Sequence, residues 1–483
     1  MRRVIIVAVL AGLIFGGCGK RDQPRDAVAR VGNRVIDARE LNRSFGLHPQ
    51  WKRGQTEFQA HLTQLDELVT QKVYALEAEK LEMDRDSLMQ GYLRFLKEKE
   101  MIKGLYRQQV REKVQVVEAE ARRTYEWMKR KVDFEYVFAR DSAQCASYAR
   151  LLASGSIGSL ALPADSSVKA GRRDGARVGS FSPDFERVLF TTPLHDVKGP
   201  MRMGGGYMAV KIVGGTQEKF LSENEFNLER QKVEKLVADR KADSLSAAYV
   251  NSVMKDKDLR LNAPVFWGVA EYCFRRVKEE HLDPLKIQSV SVTTGEIQTL
   301  QDDLRSLADL TVATHREGIL TVRQLMEALG NMPGSLRPRL RTPENLKAAI
   351  GLIVRNQYLL NEAGHRGLDK DPDVLFEYNL QRDETLASAY YSRRRGEVSV
   401  SPEEVEAFAR HAPVSEEQVL FRFNMTALAR DAKTDTALKA DFPRLKDQYA
   451  VNLDTAKVRS MLKTPDDVLR ENPVRIYVRE IFQ

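Results

Sequence analysis

Residues able to do chemistry are few and scattered in this chain. Of 483 residues, three are cysteine (Cys18, Cys145, Cys273) and seven are histidine. No two cysteines stand in Cys-x-x-Cys spacing and no Cys/His cluster forms, so neither a disulfide framework nor a metal site is expected. His195-Asp196 has the residue types of an acid–base pair, but spacing places no serine or cysteine nucleophile beside it, and it reads as a loop pair. Gly204-Gly205-Gly206 lacks the Lys-Ser/Thr of a phosphate loop and precedes a strand-like run instead of a helix, so it reads as a turn. Ser392-Arg393-Arg394-Arg395 and the stretch from Arg337 to Arg341 alternate with acidic helices and lack interleaved aromatics. They read as solvated faces, and no nucleic-acid partner and no cofactor are expected.

Cys18 is the exception. Met1-Arg2-Arg3 is a basic start, Val4 to Phe15 is an apolar run, and Gly16-Gly17-Cys18 precedes the abruptly polar Gly19-Lys20-Arg21-Asp22. The run is shorter than the roughly 20 residues a membrane-spanning helix needs, and the order of parts is that of a secretory signal. A cysteine behind two glycines resembles the bacterial lipobox, which implies that the Cys18 thiol carries the lipid and becomes the new N-terminus. A cleaved signal with an incidental cysteine is the alternative. Removal of 1–17 takes away Arg2 and Arg3 and lowers the net charge from +8 to +6. Gly19 in place of Asp favours sorting to the outer membrane over the inner. Cys145 and Cys273 can pair in an oxidising compartment, but two buried, idle thiols are expected.

Length allows about three domains. With 42 % hydrophobic and 30 % charged residues, the composition is neither that of a disordered chain nor that of a polytopic membrane protein. Residues 18–27 form a polar tether. Val28 to Ile36 reads as a hairpin turning at Gly32-Asn33, Asp37 as the cap of a helix carrying Leu41 and Phe45, and 58–80 as a helix with its stripe at Leu62, Leu65, Leu68, Val69, Val73 and Leu76. Helix continues over 87–131, broken near Val114-Gln115-Val116. From Asp133 the pattern changes: a strand at Phe134 to Phe138, a helix at 143–153, a Gly/Ser/charge-rich stretch at 154–180, a short helix at Phe185 to Phe190, a strand at Tyr207 to Val213, a charged helix over about 223–255 and an extended end at 258–261.

A repeat links the halves. Leu68-Val69, Glu77-Ala78 and Met83-Asp84-Arg85-Asp86 return as Ile353-Val354, Glu362-Ala363 and Leu368-Asp369-Lys370-Asp371, each 285 residues on. Val35-Ile36 with Leu41 returns as Ile319-Leu320 with Leu325, and Val114-Gln115-Val116 with Glu120 as Val398-Ser399-Val400 with Glu404, each 284 on. Residues 262–309 belong to no repeat, and Trp267, Tyr272 and Phe274 there are expected in a core.

The segment from Val28 to Leu41 and then Leu68 to Asp84 resembles the N-terminal helical region of the SurA and PrsA foldases, secreted chaperones that often carry a parvulin-type (PpiC-type) peptidyl-prolyl isomerase domain. The next segment is similar to that domain in order: Phe134 to Phe138 resembles its first strand, Gly175-Ala176-Arg177-Val178-Gly179 its Gly-Gly-x-Leu-Gly turn, Phe181 and Asp184 to Phe190 its pocket helix, and Gly199-Pro200 with Gly206 to Ile212 its last turn and strand. The implied fold class is α+β: mostly helical SurA-like chaperone domains with one small parvulin-like antiparallel-sheet domain. The implied organisation is signal 1–17, tether 18–27, helical domain 28–131, parvulin-like domain 132–216, a closing helix and strand at 217–261, connector 262–309, a second helical copy at 310–411 and its own closing helix and strands at 412–483. Val419 to Phe423 could restart the first strand of the isomerase domain, yet too few residues follow for a second such domain.

The resemblance also locates a site. Isomerisation needs no nucleophile: the barrier of about 18–20 kcal/mol is amide resonance, lowered by an apolar pocket that binds the twisted amide better than the planar one. Two family histidines hydrogen-bond beneath that pocket. Tyr136 and Met208 stand in their places here, and Asp165 falls near the family's Cys or Asp. The implied substrate-binding set is Phe181, Phe185, Phe190, Tyr136 and Met208, with Phe190 better placed in the core, and catalytic residues stay unassigned. The implied function is a membrane-anchored periplasmic foldase that binds unfolded or nascent envelope proteins, with isomerase activity impaired or absent. An active isomerase and a structural envelope lipoprotein that scaffolds a complex are the alternatives.

Overall fold

The computed structural model describes residues 26–47, 49, 54–155, 157–163, 167–217, 223–279, 292–338, 340, 342–411 and 425–462. Cys18, Asp165 and the 419–423 segment lie outside them.

The first half runs β1 (Ala27–Val31), β2 (Arg34–Asp37), α1 (Ala38–Leu47), α2 (Glu57–Lys80), α3 (Ser87–Gln109), α4 (Glu118–Met128), β3 (Arg130–Ala139), α5 (Ser142–Ser154), β4 (Val168–Ala176), α6 (Pro183–Thr191), β5 (Val197–Met203), β6 (Gly206–Gln217), α7 (Glu223–Met254), β7 (Arg260–Leu261) and α8 (Ala263–Glu279). The second half runs α9 (Thr294–Asp303), β8 (Thr311–His315), β9 (Gly318–Thr321), α10 (Val322–Asn331), α11 (Pro343–His365), α12 (Pro372–Glu397), α13 (Pro402–His411), α14 (Met425–Gln448), β10 (Asn452–Leu453) and α15 (Thr455–Met461). The molecule is α+β, mostly helical with small antiparallel sheets.

Local chemistry sets the boundaries. The β1–β2 turn needs Gly32, whose φ is +56°. The Asp37 carboxylate accepts the Glu40 amide at 2.8 Å and starts α1. Thr56 and Gln59 form a reciprocal capping box on α2. Thr342 and Asp371 cap α11 and α12, each followed by a proline at the first helical position.

Two compact units form, one from 1–100, 327–337 and 369–483, the other from 101–326 and 338–368. In the first, β1 lies between β2 and β10, and the α2 stripe (Leu65, Leu68, Val69, Val73) closes a core with Val28, Ile36 and Leu41. Leu445 of α14 and Val458 of α15, both without exposed surface, complete it. Leu386 and Tyr390 of α12 and Leu438 of α14 meet Ala75 and Ala78 of α2. Six charges lie among these helices. Lys72 Nζ sits 2.7 Å from both Glu40 Oε1 and Asp383 Oδ2. Arg34 reaches Asp383 at 2.6 Å and Glu79 at 2.8 Å, and Arg382 also pairs with Glu79. Burial pulls the Lys72 ammonium down, but Glu40 and Asp383 outweigh it and hold it above its ordinary value.

In the second unit, β8 lies between β7 and β9, and a separate antiparallel sheet has the order β4-β3-β6-β5. Leu105, Leu359, Ala363 and Leu368 form a core that Tyr249 and Val253 of α7 cover, and Tyr125 of α4 meets Phe226 of α7 edge to face at 5.4 Å. Cys145 and Cys273 are both buried and unpaired with each other.

The closing segments correct one expectation. The segment after 412 was expected to close the second copy, and 217–261 the first. Instead β10 pairs antiparallel with β1 (Ala29 with Leu453, Arg30 with Asn452), and β7 pairs with β8 (Leu261 with Ala313, Arg260 with Thr314). The hairpin of each copy is therefore completed by the closing strand of the other, while the start of each closing helix stays on its own copy, Phe226 of α7 against Tyr125 of α4 and Lys433 of α14 with Glu404 of α13. The physical reason is that a two-residue strand carries almost no register information of its own, so its destination is set by the apolar face of the helix before it. Sequence showed the two closing segments to be alike without showing which hairpin each would meet.

Two strands were also missed. β4 falls inside the stretch read as Gly/Ser-rich, and β5 inside a loop. Both are edge strands: β4 is mostly polar (Val-Lys-Ala-Gly-Arg-Arg-Asp-Gly-Ala) and held chiefly by pairing with β3, whereas β5 pairs with β6 and lays Val197, Met201 and Met203 against the cores. Trp267 is 58 % exposed, not core. α8 buries Phe266, Val269, Ala270 and Cys273, a helical face that excludes position 267. Among the described residues no helix is long and apolar enough to cross a membrane.

Candidate functional site

The candidate site is one face of the β4-β3-β6-β5 sheet. Alternation along β3 sends Val137 and Ala139 to one side, where Cys145, Ala149 and Leu152 of α5 cover them together with Ala209. Burial pushes the Cys145 thiol up, as suits an inert core position. Lys211 Nζ reaches the carbonyls of Leu152 (3.0 Å) and Gly155 (2.6 Å), capping the end of α5 with charge.

The other side carries Phe134, Tyr136, Met208, Val210 and Ile212, facing α6. The register puts Phe134 opposite Ile212, Tyr136 opposite Val210 and Phe138 opposite Met208. Phe134, Phe181 and Phe185 form a triangle of edge-to-face rings with centroids 5.2 to 5.9 Å apart. The Tyr136 ring lies over Gly171 on β4: a methyl group added there would fall 2.6 Å from the Tyr136 hydroxyl oxygen, so only glycine admits the ring.

All five residues expected in the pocket thus share one cluster, but not one exposure. Phe185 and Phe190 are each 3 % exposed, and Phe190 stacks on Trp127 at 5.6 Å. For Phe185 the expected contact role is corrected to core, and Phe190 lies in the core as its sequence reading preferred. Tyr136, Phe181 and Met208 are half-buried and keep surface to offer, as do Val178, Met201 and Met203 beside them. Val178 and the two methionines were not foreseen; the alternation Met201-Arg202-Met203 is the signal that would have found them.

Sequence reasoning also missed Glu186. It has no exposed surface, and its Oε1 accepts the backbone amides of Gly179 (2.7 Å) and Phe181 (3.0 Å) while its Oε2 pairs with Arg240 of α7. A buried carboxylate with three charge-assisted partners fixes the turn that presents Phe181. Its signal is indirect, an acidic residue on the inward side of a short amphipathic helix.

The remaining candidates carry no chemistry. The His195 amide donates to the Ile212 carbonyl (2.7 Å) and the Ile212 amide to the Asp196 carbonyl (3.2 Å), so the pair works through its backbone as a turn. Gly204 and Gly205 form the tight turn between β5 and β6. Among the described residues no group of three His, Cys, Asp or Glu side chains could hold a metal ion. The face can therefore bind an apolar segment and shield it from water, and it offers no nucleophile placed beside a base.

No family model matches the chain, and no curated protein matches it. Among solved structures, the chain is similar to a peptidylprolyl isomerase, PrsA, from Bacillus cereus, at 14 % identity and a TM-score of 0.22, over 49 % of this chain and 94 % of that one. It is similar in the same degree, 14 % identity and a TM-score of 0.22 over 47 % of this chain and 96 % of the other, to one of two SurA-like chaperones of Campylobacter jejuni.

Proposed function

We propose that the chain is a cell-envelope foldase that holds unfolded proteins, with a parvulin-like domain at 132–216 whose isomerase activity is weak or absent, anchored through a lipid on Cys18. The observation that supports the holding role is the half-buried apolar face of Tyr136, Phe181, Met201, Met203 and Met208, set on a rigid core and backed by Glu186. Thioether side chains adapt to varied partners, which suits clients without a shared sequence. By the family resemblance Tyr136 and Met208 stand at the histidine positions, and neither offers an imidazole there.

The test is aggregation of an unfolded outer-membrane protein with and without the purified mature chain. Suppression by the wild type, weakened roughly fivefold (on the order of 1 kcal/mol) in Phe181→Ala with Met208→Ala, is expected. No suppression and no binding of client peptides overturns the reading. The ordering of Phe181 by Glu186 favours a second reading, residual isomerase activity. A protease-coupled assay on a proline tetrapeptide decides it, and a rate equal to buffer ends it.

A further inference from the structure

We infer that the two halves of the chain are complementary subunits carried on one polypeptide: the hairpin-and-helix surface of each half is a receptor whose fitted partner is the helix–strand–helix segment of the other, in trans as well as in cis. Two matched sets of main-chain contacts carry this. In the first unit the Gly32 amide donates to the Tyr449 carbonyl (2.6 Å) and the Asp454 amide to the Val28 carbonyl (2.8 Å). In the second, the Arg316 amide donates to the Lys257 carbonyl (2.8 Å) and the Asn262 amide to the Val312 carbonyl (2.9 Å). Receptor positions shift by 284 (28 to 312) and closing positions by 192 (262 to 454), so the same four atoms meet in the same way in both. The turn before each closing strand also repeats, with Asp258 at φ +47° and Ala450 at φ +46°, a left-handed conformation uncommon outside glycine.

Two independent interfaces with one geometry make a built recognition mode, and its apolar part is substantial. Leu445 and Val458 are wholly buried against Val28, Val31 and Leu65. The partners are not interchangeable. Glu77 in the first receptor accepts the Tyr449 hydroxyl (2.7 Å) and the Gln448 amide (2.8 Å), whereas the aligned Glu362 accepts from Arg366 (2.7 Å), the residue that caps its own helix. Hydrogen bonds to Glu77 thus favour 448–449 at the first receptor, and nothing in either contact requires the peptide link between the halves.

The test uses the full chain with a site-specific protease sequence placed between 279 and 292. After cleavage the two fragments are expected to co-elute as a 1:1 complex, to separate in urea, and to recover one cooperative unfolding transition only when remixed. Fragments that elute apart after cleavage overturn the inference. A second readout does not depend on refolding. With Ala29→Cys and Leu453→Cys, oxidation should join the two cleaved fragments covalently, because antiparallel partners bring α-carbons to about 4.5–5.5 Å, within disulfide range. With Ala29→Cys and Leu261→Cys no link should form. A 29–261 link shows each half closing on itself and likewise overturns the inference.

Discussion

The two hairpin receptors share a backbone plan and differ in what their side chains use to hold it. In the first unit Arg34, Glu40, Lys72 and Glu79 bring charge from β2, α1 and α2 to meet Arg382 and Asp383 of α12. The aligned positions of the second copy are Gly318, Gln324, Gln357 and Gly364, none of them charged. There the hairpin is tied nearer the surface: His315 Nδ1 lies 2.8 Å from the Tyr358 hydroxyl, the Lys257 ammonium sits 4.3 Å from the Tyr358 ring centroid, and Lys257 pairs with Glu317 at 2.6 Å. Apolar periodicity and main-chain pairing are therefore enough to define the fold, and the buried ions are an addition to it. Such ions contribute little net stability when complete, yet they penalise every register that would strand one of them.

The largest effect that breaks this comparison is loss of one buried ion. Asp383→Ala leaves Lys72 and Arg34 short of a partner and should cost the first unit about 3–5 kcal/mol, whereas Gln357→Ala in the second should cost under roughly 1 kcal/mol. Urea unfolding followed by hydrogen exchange in each unit reads both, and equal losses would erase the distinction. Next, Leu445→Ala removes a side chain with no exposed surface and should cost about 2–5 kcal/mol. The aligned Val253→Ala, at a half-buried position, should cost well under that, measured in the same way.

The smallest effect is one of pH. Burial alone would raise the Glu77 carboxyl, but hydrogen bonds from the Tyr449 hydroxyl and the Gln448 amide outweigh it and hold the group below its ordinary 4.5. A carboxyl lowered in the folded state stabilises at pH above its unfolded value, and that contribution drains away as pH falls through the folded one. Amide exchange across 445–453 should therefore quicken below pH 4.5 and lose that acid limb in Glu77→Gln.

Much of this was legible beforehand because it is periodic. The α2 stripe, the first hairpin and the cap at Asp37 follow from local spacing, whereas the aromatic cluster around Phe134 was implied by the family resemblance alone. Which of those aromatics keep surface was not legible, since Phe181 and Phe185 are four residues apart and only the depth of α6 against β3 separates them. Glu186 was illegible for a related reason. Its partners, the 179–181 turn and Arg240, lie on opposite sides of it in sequence, and a lone acidic residue carries no mark of being buried. The exchange of closing segments was hidden because the copies are alike: a repeat shows equivalence and leaves connectivity open.

That exchange also sets an order in time. A chain emerging N-terminus first makes β1 and β2 almost at once, yet their third strand lies roughly 420 residues later. Closing so long a loop is slow and entropically unfavourable, and no earlier segment of the native fold supplies Leu445 or Val458. The first unit therefore stays open until nearly the whole polypeptide has appeared. For the secreted chain proposed above, the consequence is that the leading end does not lock into shape while the trailing end is still in transit.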